Sequence, residues 1–139
     1  MSTESDNVSI LRRAYETWAR EKAADMGCWA CVLADDARLK SLAGGAPDLA
    51  FTRDRQGKDE VLDYLKGLTD DWEMISYAID EYIAQGDRVV AIGSTSWRNK
   101  KTSKVFSTPK IDIWRLKDGQ VTEFSEFYDT AHVLSAAAP

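Results

Sequence analysis

The chain predicts an α+β fold: three N-terminal helices packed on a curved, mainly antiparallel β-sheet that closes into a cone-shaped pocket. Three observations point there. Apolar residues recur at helical spacing early in the chain and at period two later. Residues 72–128 divide into four strand-length runs separated by turn residues. Asp118-Gly119 lies between alternating hydrophobics, a strong short-range hairpin signal. Helices followed by an antiparallel meander pack onto one face of a sheet.

The 139 residues are 44% hydrophobic, which suits a single domain over 1–139 that encloses a core and a cavity. Asn7 or Ser9 can cap a first helix running to about Ala24, with Val8, Leu11, Tyr15, Trp18 and Ala19 on its inner face. A second helix spans Met26 to Ala34 with Asp25 as cap, and Asp35-Asp36 ends it before a short strand, Ala37 to Leu42. Ala43 to Gly57 is a Gly- and Pro-bearing loop of the kind that rims a site. Lys58 to Leu68 is a third helix. Trp72–Ile83, Arg88–Trp97, Val105–Leu116 and Val121–Tyr128 are strands, and Thr130 to Ala137 a short last helix capped by Asp129. Gly86, Gly93 and Pro109 are the places where the sheet can bend or bulge.

A net charge of -5 argues against nucleic acid. The basic cluster from Arg98 to Lys104 reads as a solvated hairpin tip. No apolar run is long enough to cross a bilayer, and Met1 to Asn7 is polar and acidic where a leader would be basic and then hydrophobic, so the expected setting is the cytoplasm, away from membrane. Cys28-Trp29-Ala30-Cys31 has redox spacing but no preceding strand, and reads as two small buried side chains on a helix. His132 stands alone near the C-terminus without partners for a metal site, and nothing in the chain requires an external cofactor.

The functional question sits in Lys110–Asp129. Asp112 and Glu126 occupy positions where the alternation calls for apolar residues, among Ile111, Ile113, Trp114, Phe124 and Phe127. A carboxyl turned into such surroundings must be paired, protonated or chemically employed. A two-residue turn at Asp118-Gly119 would set Asp112 opposite Ser125, whereas a three-residue loop with Gly119 in a bulge would bring Asp112 and Glu126 to one face.

The chain resembles the nuclear transport factor 2-like superfamily, and within it the SnoaL-like and ketosteroid-isomerase-like proteins. The resemblance covers nearly the whole chain. Its markers are Leu33-Ala34-Asp35-Asp36-Ala37, Gly57-Lys58-Asp59-Glu60-Val61, Gly86-Asp87-Arg88-Val89-Val90 and Ile113-Trp114-Arg115-Leu116-Lys117-Asp118-Gly119. They imply the fold, cystatin-like in outline, and not a reaction. Against ketosteroid isomerases, Tyr15 falls at the oxyanion-hole phenol and Asp112 at the protonated acid, but Ser41 stands where the general base belongs. Against limonene-epoxide hydrolases, the positions of the required Arg and Asp hold Gly93 and Thr95, and only the last-strand acid is matched, by Glu126. SnoaL-type polyketide cyclases also use a last-strand acid. The resemblance favours the bulged hairpin.

On that register the expected site has Tyr15, Asp112 and Glu126 as catalytic groups. Trp18, Trp29, Trp97, Trp114, Phe124 and Tyr128 form the ligand-binding wall. The plainer readings are that the aromatics simply fill the cone, that Asp112 is neutralised by Lys110 or bonded to Tyr15, and that Glu126 points to solvent. Two functions are compatible with such a site. One is an enzyme, an isomerase, cyclase, lyase or hydrolase doing acid-base work on a small apolar or aromatic molecule. The other is a non-catalytic binding module. The opposite sheet face carries Ile111, Ile113, Phe127, Val90 and Ile92, which suggests a homodimer through that face, the habit of the resembled family.

Overall fold

The computed structural model describes residues 3–139. Helix α1 spans Thr3–Arg20, α2 Gly27–Ala30, α3 Lys58–Asp71 and α4 Thr130–Ala137. The strands are β1 Leu33–Ser41, β2 Arg55–Gln56, β3 Trp72–Gln85, β4 Arg88–Asn99, β5 Val105–Lys117 and β6 Gln120–Tyr128. They form one sheet in the order β2-β1-β6-β5-β4-β3, antiparallel except where β1 runs parallel to β6. Helix α1 packs on β3, and α3 on β1.

The α+β reading holds, with shifted boundaries. Helix α1 stops at Arg20, short of Ala24, because Lys22 and Ala23 turn left-handed (φ 51° and 64°). Asn7 is no cap; it is buried one turn inside the helix. The second helix is a single turn, Gly27–Ala30, whose first amide is held by Asp25 Oδ1 at 2.9 Å. Asp35 and Asp36 do not end it: they lie inside β1, at a register shift between Leu33 and Arg38 that leaves both exposed. A one-turn helix cannot bury both cysteines, so Cys31 is exposed and Cys28 half-buried, against the reading of two buried thiols. Within the 43–57 loop, a 3-10 segment at Pro47–Thr52 brings Phe51 and Thr52 to the cavity. Arg55 anchors that segment, donating to the carbonyl of Phe51 at 2.9 Å. The tip after β4 is partly clasped by α4, since Thr102 donates to Ala136 O at 2.6 Å.

Curvature comes from β3. Its pairing with β4 slips by one residue at Ile75 and again at Asp80, whereas β4 and β5 pair without interruption from Arg88↔Arg115 to Arg98↔Val105. Pro109 therefore sits in regular register opposite Ser94, and the bend belongs to Gly93 alone among the two. A Cβ at Gly93 would lie 1.9 Å from Ala78 O and 2.8 Å from Ile79 Cα, backbone atoms that cannot swing aside. Gly93→Ala should destabilise the fold by about 3 kcal/mol or more in urea titration, whereas Gly86→Ala, with open space around its Cβ, should cost only the strain of a left-handed alanine.

Candidate functional site

The register of the β5–β6 hairpin decides whether a site exists. Asp118 and Gly119 both have positive φ (51° and 78°) and close a two-residue turn, with Lys117 opposite Gln120. That turn alone would send Glu126 to the outer face. The parity changes further in: Leu116 pairs with Val121, but Arg115 pairs with Glu123, so Thr122 is the extra residue of a bulge. From there Asp112 stands directly opposite Glu126. The expected outcome is reached, but through a bulge at Thr122 and not through a three-residue loop at Gly119.

Both carboxyls are buried, at 1% and 4% exposure. Lys110, two residues before Asp112 on the same face of β5, lies between them: its Nζ is 2.6 Å from Asp112 Oδ1 and 3.1 Å from Glu126 Oε2. It also donates to the Tyr77 hydroxyl at 2.9 Å. Tyr77 donates to Asp112 Oδ2 at 3.2 Å, and Tyr15 donates to the same oxygen. Trp114 Nε1 donates to the Tyr15 hydroxyl at 2.8 Å. Glu126 Oε1 accepts from Tyr64 of α3. Ser41 and Tyr128 share a hydrogen bond of 2.5 Å at the end of β1. Three elements besides β5 and β6, namely α1, α3 and β3, thus supply groups to one polar cluster.

The cluster opens on a cavity of about 90 Å³. All nine residues expected at the site line it: Tyr15, Asp112 and Glu126, and the wall of Trp18, Trp29, Trp97, Trp114, Phe124 and Tyr128. Trp29, Trp114 and Phe124 form a stack, with centroids 5.1 and 4.1 Å apart. The buried indole N–H of Trp29 has no partner among the described residues. The plainer readings hold in part: Asp112 is paired with Lys110 and bonded to Tyr15, and the aromatics do belong to the core, yet the cone is not filled.

Electrostatics follow from burial. Burial raises the pKa of Asp112, and Glu126 adds to this, while the Lys110 ammonium opposes it. Burial works to lower Lys110, but Asp112, Tyr77 and Glu126 together hold it above the ordinary lysine value, so it is an ammonium and not a nucleophilic amine. Burial, reinforced by the neighbouring carboxyls, also raises Tyr15, Tyr64 and Tyr77, and pushes Tyr128 up to about 12. These phenols are neutral donors.

Sequence reasoning does not single out Lys110, Tyr64 or Tyr77 as site residues. Lys110 carries a usable signal, because the two-residue spacing Lys110-Ile111-Asp112 puts both charges on one strand face. It also sets a cation and an acid flanking one residue on β5, one strand away from Gly93 and Thr95. Tyr64 carries no signal beyond helical spacing with Val61 and Leu65, and Tyr77 lies between the two bulges of β3, which obscure its facing.

A curved sheet capped by helices over an aromatic cavity is the nuclear transport factor 2-like fold. The chain belongs to the SnoaL-like domain family, whose profile matches residues 11–124. In three dimensions it is similar to a nuclear transport factor 2-like protein of unknown function from Burkholderia pseudomallei (22% identity, all of both chains covered, TM-score 0.82). It is similar to a SnoaL-like polyketide cyclase from a Jannaschia species (20%, 100% and 97% covered, TM-score 0.75). A protein with a ketosteroid isomerase-like fold from Catenulispora acidiphila, in complex with trimethylamine, is also similar (16%, 92% and 91% covered, TM-score 0.73). No curated protein matches the chain in sequence. At these identities the solved structures establish the fold alone.

Lys110→Met strands two buried carboxyls and should cost about 3–5 kcal/mol at pH 7. Asp112 binds its proton more tightly folded than unfolded, so its stabilising contribution is greatest in acid and is lost as pH rises. The deficit of the variant should therefore shrink toward about pH 4. Lys110 and the buried tyrosines also hold protons more tightly when folded, so the wild type should lose stability above about pH 10. Denaturant titrations across pH check both limbs, the second of which should be shallower in the variant.

Proposed function

We propose that this SnoaL-like chain is a cofactor-independent enzyme that performs general acid-base chemistry on a small, largely apolar or aromatic molecule held against the Trp29–Trp114–Phe124 stack. The observation that carries this is the pairing of Asp112 and Glu126 across one cation in a buried, mostly aromatic cavity. Two carboxyls that share a single ammonium differ in proton affinity according to their other donors. Asp112 has Tyr15, Tyr77 and Lys110; Glu126 has Tyr64 and Lys110. In this scheme Glu126, with fewer donors, exchanges a proton with the substrate. Tyr15, steadied by Trp114, shifts its hydrogen bond from Asp112 to an oxyanion developing on the substrate, and Lys110 offsets the charge.

The alternative, a binding module of the same fold, predicts the same pocket without proton transfer. Deuterium exchange at the carbon next to the carbonyl of small cyclic ketones separates the two. The enzyme reading expects exchange by the wild type and a loss of about 10²–10⁴-fold in Glu126→Gln. No exchange, together with two ordinary carboxyl titrations by carbon NMR, would favour the binding module.

The outer sheet face supports a homodimer. Ile111 and Phe127, paired across β5 and β6, are 39% and 40% exposed, and Ile83 and Val105 of the sheet are also uncovered. The free thiols Cys28 and Cys31 suit a reducing, cytoplasmic setting, and no described helix is long and apolar enough to cross a membrane. Sedimentation of Ile111→Glu/Phe127→Glu should give a monomer where the wild type gives a dimer; an unchanged mass would reject this interface.

A further inference from the structure

The lining of the cavity has an odd charge. Its charged groups among the described residues are Lys110 and Asp112 of β5 and Glu126 of β6, two acids against one base. Tyr15 of α1, Tyr64 of α3 and Tyr77 of β3 stay neutral, because burial raises their pKa values. Fully ionised, the cluster carries one uncompensated negative charge in surroundings that penalise it.

The hydrogen bonds are lopsided in the same direction. Tyr15, Tyr64 and Tyr77 each already donate to a carboxylate, and the Lys110 ammonium faces Asp112, Tyr77 and Glu126. Every donor that touches the two acids is committed. The acids themselves have lone pairs left, since a carboxylate offers about four acceptor sites and Glu126 meets only Tyr64 and Lys110. The aromatic walls hold one cation already, Lys110 Nζ at 5.4 Å from the Tyr77 ring centre and 5.7 Å from that of Phe124, and the lining indoles Trp29 and Trp114 offer further ring surface.

From this balance of charge, acceptors and aromatic faces we infer that the cavity selects a small organic cation, a substituted ammonium of a few carbons, seated against Glu126 and Asp112. An entering ammonium meets the negative charge that Lys110 alone leaves uncompensated. The inference does not rest on the proposed catalysis, because it concerns which molecule enters the cavity and not the reaction that molecule undergoes there.

The test uses tert-butylammonium and tert-butyl alcohol, which share a shape and differ in charge. Calorimetric titration of the full chain at pH 8 should show the ammonium binding about tenfold or more tightly. Glu126→Gln removes the surplus charge and keeps the side chain's shape, so it should erase the preference while still binding the alcohol, which also reports that the variant is folded. Equal or weaker binding of the ammonium, no binding of either probe, or a preference that survives Glu126→Gln would overturn the inference. Ketone exchange lost without loss of the cation preference would remove the catalytic reading alone.

Discussion

The ammonium of Lys110, held between Asp112 and Glu126, is the interaction on which the interior of this protein depends. Each buried ion costs several kcal/mol to dehydrate. That cost is offset only because the three charges and the phenols of Tyr15, Tyr64 and Tyr77 satisfy one another within a few ångströms. The cluster therefore ties α1, α3 and β3 to the β5–β6 hairpin through polar contacts as well as apolar ones. Removing any one donor leaves a carboxylate with fewer partners in a medium that cannot supply water. This is also why the cavity persists: a wall with ionised groups cannot collapse onto the indoles opposite without stripping the charges further.

That cluster exists because of irregularities in the sheet. Thr122 is one residue too many in β6, and it alone turns Glu126 from the outer face to the inner one. Ile75 and Asp80 are the corresponding extras in β3, and Gly93, paired with Ile79 beside the second, admits a backbone approach that no side chain would tolerate. The bulges wrap the sheet around α1, which brings Tyr15 within hydrogen-bonding reach of Asp112 across 97 residues of chain. The geometry of the site thus depends on three backbone slips, at Thr122, Ile75 and Asp80.

The polar cluster also explains why family membership does not settle the reaction. Ser41 hydrogen-bonds Tyr128 at the position where the resemblance to isomerases calls for a base. A carboxylate–cation–carboxylate arrangement is present instead, placed on β5 and β6 with a lysine as its cation. The fold is that of the family; the charge arrangement in the cavity is set by Lys110, Asp112 and Glu126.

Sequence alone determined what depends on local pattern. The period-two runs, the Asp118-Gly119 turn, the Asp129 cap and the inward face of Tyr15 and Trp18 are properties of short windows, and they were legible because each follows from backbone geometry within a few residues. Asp112 and Glu126 stood out for the same reason, as acids at apolar positions. Only the tertiary structure decided the rest: that Thr122 carries the parity shift, that α2 is a single turn, that Asp35 and Asp36 lie in a strand, and that Lys110 bridges both acids. These outcomes turn on the competition between one more residue of regular pairing and the burial of groups far away in the chain, and no local window contains both sides of that comparison.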